Sequence, residues 1–294
     1  MMRYQEQAVV FDCQSERLAG IVSLPTVTHG ATTHLTSVGV VIIVGGPQYR
    51  AGSHRQFVLL ARALSSAGIP VLRFDYRGMG DSTGKLRTFE NVNDDIAAAI
   101  SALQATVRSI KNIALWGLCD GASAALLYCH AKQDARITGL CLLNPWVRSE
   151  SSLAKTQVKH YYTQRLRQKE FWIKLLRGQV AASAGSGLLR NIKTAFDGPA
   201  TNAPAAGSLP FQTQMALGWK QFKGQVLLIL SGNDYTAKEF AEYAASDHAW
   251  QRIAGLANVQ RQEIAQADHT FSSPADRVSV EALTLNWLKS LHRP

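Results

Sequence analysis

Short apolar runs alternate along this chain with stretches in which apolar residues recur at helical spacing. Residues 8–11 and 18–24 read as an opening pair of antiparallel strands. Residues 38–44 form a continuous apolar run that ends in Gly45-Gly46-Pro47, the pattern of a strand buried on both faces. A helix is expected next, with Ser53 and Gln56 as a capping box, Phe57, Leu60, Ala61 and Leu64 on one face, and Gly68 at its end. Further strands are expected at 69–74, 113–118, 137–143, 226–230 and 259–264. Helices are expected between them, including one carrying Ile96, Ile100, Leu103 and Val107, one of small residues at 121–133, and one at 238–254. A last helix starts at Ser273-Pro274 and buries Leu283, Trp287 and Leu291. Such alternation predicts an α/β fold: a mostly parallel sheet covered by helices on both faces. Right-handed crossovers then gather the loops that follow the strands along one edge, where chemistry is to be sought.

Composition narrows the class. The 294 residues are 46% hydrophobic and 18% charged, which excludes a disordered chain and a charge-solvated coiled coil. No stretch of about 18 apolar residues is present, which speaks against a transmembrane helix. Residues 1–10 do not read as a secretory signal, and Cys13, Cys119, Cys129 and Cys141 lack the close pairing of a disulfide scaffold. Both features point to a cytoplasmic setting. The formal net charge is +10, yet it is not spread evenly. Residues 147–224 hold twelve basic and three acidic residues, a net of +9, and the other 216 hold 19 and 18, a net of +1. This basic segment interrupts the strand–helix order and is read as an insertion over the active edge, with connectors rich in Ala, Gly, Ser and Pro.

The candidate chemistry sits at a strand-to-helix junction, in Gly117-Leu118-Cys119-Asp120-Gly121. This is the nucleophile-elbow pattern G-x-S-x-G with Cys in place of Ser; the flanking glycines let strand and helix approach without a Cβ clash. A thiol nucleophile needs a base and an acid that orients the base, in the chain order nucleophile, acid, His. Asp234 follows the strand at 226–230 and His269 the strand at 259–264, so both belong to the edge that carries Cys119. Asp268 is the poorer choice of acid, being adjacent in sequence to the histidine it would orient. The positive end of the helix that begins at Asp120, and a nearby imidazolium, favour the thiolate. The Asp120 carboxylate opposes this if it faces the sulfur; the preferred reading is that it points away and serves the helix N-terminus. Acyl transfer also needs two amides for the developing oxyanion. One is the N–H of Asp120; the other comes from Gly46 or Gln48, since Pro47 has none. Arg50, His54 and Arg55 follow that loop and are candidates for binding a substrate anion, or equally a surface cluster at a helix start. No metal or organic cofactor is implied.

Together, the Gly117–Gly121 turn, Asp234, His269, Gly45-Gly46-Pro47 and the segment Asp75-Tyr76-Arg77-Gly78-Met79-Gly80-Asp81-Ser82 resemble the α/β-hydrolase superfamily over nearly the whole chain. The resemblance implies an α/β-hydrolase fold, with 1–146 and 225–294 as the core and 147–224 in the place of a helical cap. The Cys-Asp-His set is similar to that of dienelactone hydrolases and polyhydroxyalkanoate synthases. Gly45-Gly46-Pro47-Gln48-Tyr49-Arg50, Gly52-Ser53-His54-Arg55, the 74–82 segment and Ser231-Gly232-Asn233-Asp234-Tyr235 resemble more closely the first type of hydrolase that accompanies bacterial exosortase A systems. That resemblance implies a role beside exopolysaccharide production and protein sorting, and no particular substrate.

Three functional readings follow: a hydrolase acting on a small-molecule ester or thioester through Cys119, an acyltransferase with the same nucleophile, and a non-catalytic binding protein on the same fold. The basic segment has readings of its own. Tyr162, Leu166, Ile173, Leu176 and Val180 recur near helical spacing among Lys159, Arg165, Arg167, Lys169 and Lys174. It is a lid helix with its bases in water, a reversible contact with an anionic membrane, or an electrostatic funnel for an anionic acyl substrate. Nucleic acid is not expected, because no recognised binding module accompanies the bases.

Overall fold

A computed structural model describes residues 4–26, 37–46, 48–148 and 209–291. Eight strands form one sheet in the order β1-β2-β4-β3-β5-β6-β7-β8. The hairpin of β1 (Tyr4–Cys13) and β2 (Glu16–Pro25) turns at Gln14, which has φ 56°, and β2 runs antiparallel to β4 (Val71–Phe74). The other pairings, through β3 (Val38–Ile43), β5 (Asn112–Leu118), β6 (Ile137–Leu143), β7 (Gln225–Ser231) and β8 (Val259–Ile264), are all parallel. Every residue of β3 is buried, so this strand must be apolar on both faces, which is why its sequence reads as an unbroken run; β4 is as deeply buried but carries Arg73, which pairs with Glu6 at 2.9 Å.

Six α-helices occur among the described residues: α1 (Gln56–Ser66), α2 (Asn93–Thr106), α3 (Asp120–Lys132), α4 (Phe211–Gln221), α5 (Tyr235–Ser246) and α6 (Pro274–Ser290). Ile96, Ile100 and Leu103 of α2 are buried as the spacing predicts. Ser273 caps α6 through the Asp276 amide, with Pro274 at the first helical position. In α6, however, the most deeply buried residues are Val280, Thr284, Trp287 and Leu288, while Leu283 and Leu291 are only partly covered.

Two expectations are corrected. The Ser53–Gln56 capping box does not form: residues 53–55 make a 3-10 turn, and α1 starts after Arg55 with no side-chain cap. Gly52, His54 and Arg55 all have positive φ, so the chain turns too tightly for Ser53 to stand at the cap position. The helix expected at 238–254 instead runs Tyr235–Ser246, because Asp234 caps it three residues earlier, and residues 253–255 form a separate 3-10 turn.

Of the segment read as a cap, 149–208 lie outside the described residues, and with them the stretch from Lys159 to Val180 read as a lid helix. Its last part is α4, which lies against α3 so closely that a Cβ on Gly218 would stand 2.2 Å from the Leu126 carbonyl oxygen. Among the described residues, no helix is long and apolar enough to cross a membrane. Cys13, Cys129 and Cys141 are buried and unpaired, and burial pushes the Cys129 thiol up to about 12.

Candidate active site

Cys119 stands between β5 and α3 with φ 60° and ψ −126°, a conformation that L-residues rarely adopt and that tight packing must impose. The glycines around it provide that packing. A Cβ on Gly117 would lie 2.5 Å from the carbonyl carbon of Gly121, and one on Gly121 would lie 2.5 Å from the Ile43 carbonyl oxygen. No side chain fits at either place, so β3, β5 and α3 close on one another and leave the half-buried Cys119 at the turn. Its amide bonds the Leu143 carbonyl at 2.9 Å and its carbonyl accepts from Trp146, which anchors the elbow to the end of β6.

Asp234 and His269 reach the same edge from β7 and β8. His269 Nδ1 and Asp234 Oδ2 are 2.8 Å apart. The Asp234 carboxylate also accepts from the amides of Thr236 and Ala237 at the start of α5. Burial opposes its ionisation, but the His269 hydrogen bond and charge and the two amides outweigh it, and Asp234 is held below the usual carboxylate range. The Asp234 hydrogen bond and then that of Cys119 push His269 up to about 10, against the effect of its own burial. That shift favours the protonated imidazole at neutral pH. Asp268 is turned to its own loop, where it accepts from the amides of Thr270 and Ser272.

The loop after β3 closes the site. Gly46 has φ 62°, and its amide meets the Asp120 carboxylate, with N to Oδ1 at 2.5 Å. Asp120 stands in the first turn of α3, and its carboxylate reaches across to the loop after β3. Gln48 uses its side-chain oxygen to accept the Ser53 amide at 3.1 Å. Pro47 lies outside the described residues.

Residues 28–281 match the alpha/beta hydrolase family. The chain belongs to that family. The solved structures it resembles include the esterase Pf2001 of Pyrococcus furiosus, at TM-score 0.62 and 17% identity over 98% of this chain and 91% of that one. Another is Est1E of Butyrivibrio proteoclasticus with ferulic acid bound, at TM-score 0.61 and 15% identity over 97% and 100%. These distant likenesses show the fold. Human Protein ABHD12B is 38% identical over 116 residues, 37% of this chain. That match spans about a third of the human protein (31%).

In this α/β hydrolase, Arg50, the first of the three candidates for binding a substrate anion, is already partnered. Arg50 is committed to two carboxylates: one Nη bonds the fully buried Asp75 and the other bonds Asp81, and its amide bonds Asp75 Oδ1 at 2.7 Å. Its single charge is shared between those two carboxylates. His54 and Arg55 are exposed, and the charge of His54 is felt at Asp268 beside the site. Arg77, next in the same segment, is buried against Asp95 at 2.6 Å.

Sequence reasoning missed Asn144. It follows β6 with φ 44°; its Nδ2 donates to Ser231 Oγ at 2.8 Å and to the His269 carbonyl at 3.1 Å, and its Oδ1 accepts the Ser231 amide at 2.9 Å. Ser231 Oγ in turn donates to the Asp268 carbonyl at 2.8 Å. One asparagine thus ties the end of β7 to the loop that carries His269. The signal available was its place, Leu143-Asn144-Pro145, directly after a buried strand.

Proposed function

We propose that this protein is a hydrolase of ester or thioester bonds that works through a covalent acyl-Cys119 intermediate. The observation that carries the reading is the His269 Nδ1–Asp234 Oδ2 pair at 2.8 Å, on the sheet edge that also carries the strained Cys119 turn. The Cys119 thiolate attacks the carbonyl carbon, and the carbonyl π pair moves to oxygen. Collapse returns that pair and breaks the bond to the leaving group, which takes the proton of the His269 imidazolium. The now neutral His269 takes a proton from water as water attacks the thioester. The second collapse breaks the C–S bond and restores the thiolate–imidazolium pair, with a carboxylic acid released. Asp234 keeps Nδ1 of the imidazole oriented and stabilises its charge throughout. The Asp120 and Gly46 amides are the donors for the oxyanion, with Gln48 as the alternative to Gly46.

The esterase among the family neighbours supports ester chemistry. The motifs at 45–55, 74–82 and 231–235 support a place beside a bacterial exosortase A and exopolysaccharide system. The test is labelling with an activated acyl ester and mass mapping of the modified peptide. The label is expected on Cys119 and absent from Cys119→Ala, whose turnover falls by at least about 1000-fold. Equal labelling of Cys119→Ala sinks the mechanism. The same substitution in the producing cell is expected to lower exopolysaccharide output, and unchanged output would separate the enzyme from that system.

A further inference from the structure

One amide assigned to the oxyanion already holds an anion. The Asp120 carboxylate lies over the β3 loop with the Gly46 amide at 2.5 Å, and the amides of Gly121 and Asp120 also favour its charge. The loop is shaped round it: a Cβ on Gly45 would lie 2.6 Å from Asp120 Oδ1 and 2.2 Å from the Leu118 carbonyl oxygen. Burial raises the Asp120 carboxyl above the ordinary carboxylate value, against the pull of these amides and of the His269 charge. A carboxylate accepts more strongly than the neutral carbonyl of an ester or thioester. The carbonyl of a small ester therefore competes poorly for the Gly46 amide.

We propose that the Asp120 carboxylate is a resident occupant of the oxyanion hole, which must release the Gly46 amide before an acyl group can be transferred to Cys119. The proposal rests on Cys119 being the nucleophile. It makes Asp120 a specificity-determining residue. The substrate class it admits is an acyl compound with enough contacts away from the carbonyl to supply the displacement, because remote binding energy can be spent on such a change at the reacting centre. Small activated esters lack those contacts and react slowly with the wild-type chain.

Two reagents separate this role from a general effect on the thiol. Iodoacetamide alkylates sulfur by displacing iodide and forms no oxyanion, whereas p-nitrophenyl acetate acylates sulfur through one. The measured quantity is the ratio of acylation to alkylation rates at Cys119, read by peptide mass in the full chain. Asp120→Ala frees the Gly46 amide and is expected to raise the ratio about tenfold or more, up to the roughly 100- to 1000-fold that one oxyanion donor is worth. Asp120→Asn keeps an acceptor but drops the charge, and a smaller rise is expected; it decides the matter if the alanine variant does not fold. A ratio unchanged or lowered in the folded variant overturns the proposal. Alkylation of Cys119 with no acylation in either variant overturns it too, while leaving the thiol reactive. A Cys119 that reacts with neither reagent sinks the covalent reading itself.

Discussion

Asp234 answers two local demands with one carboxylate. As the cap of α5 it binds the Thr236 and Ala237 amides, and as the partner of His269 it binds Nδ1 at 2.8 Å. Asparagine caps a helix about as well as aspartate does. Asp234→Asn should therefore spare the helix and remove the charge. We expect kcat/KM to fall about 10³- to 10⁴-fold, and the His269 titration, followed by imidazole NMR, to move from about 10 towards 6.5. The same shift sets a pH dependence of stability. His269 is raised on folding, so its share of stability is fully present below pH 6.5 and lost as pH rises through about 10. Asp234 is depressed, so its share is present above 3.8 and lost as pH falls through its lowered value. The urea midpoint of the wild-type chain should drop between pH 7 and 10.5, and that of Asp234→Asn should drop less. Parallel curves would show that the pair does not store stability in this way.

Elements locate these residues, and here local pattern and long-range contact part company. The buried strands are legible because a strand covered on both faces must be apolar throughout. The elbow is legible because only glycine lets β3, β5 and α3 meet where a Cβ would lie 2.5 Å from backbone. The starts of α1 and α5 are less so. Ser53 and Gln56 have the spacing of a cap, but the positive φ of Gly52, His54 and Arg55 is set by how the loop returns from β3. The link made by Asn144 is an element-scale device, joining β7 to the loop after β8. Asn144→Ala leaves the Ser231 amide and the His269 carbonyl without their partner. A loss of about 1–3 kcal/mol is expected by chemical denaturation, together with a drop in kcat/KM larger than that in KM alone would explain, since the imidazole loses its mooring. Unchanged kcat would make Asn144 a structural residue only.

At the scale of the molecule, the chain must rejoin its core by the end of the long basic segment, and α4 does this. Trp219 stacks on Phe240 with centroids 6.4 Å apart and meets Trp250 edge-on at 5.9 Å, while Gly218 allows α4 to touch α3. Trp219 is fully buried, but its indole N–H finds no acceptor among the described residues. Trp219→Ala should cost about 3–5 kcal/mol through the cavity it leaves. Trp219→Phe should cost clearly less, because it deletes an unpartnered donor along with part of the ring. Equal losses on thermal or urea unfolding would contradict that account. The charge asymmetry, +9 in 147–224 against +1 elsewhere, is a whole-molecule property too, and the membrane contact and anion funnel drawn from it rest on bases of which most lie outside the described residues.

The amino-acid sequence alone determined the alternation of strands and helices, the elbow, and the order Cys119, Asp234, His269. Each is written in local terms: apolar period, glycine at a tight turn, a polar residue just past a strand. Only the tertiary structure decided that the Asp120 carboxylate meets Gly46 74 positions away, that Asn144 holds His269 across 125, and that Arg50 is neutralised by Asp75 and Asp81. A side chain's charge and hydrogen-bonding capacity can be read from its name. Its partner depends on which strand ends the packed sheet brings together.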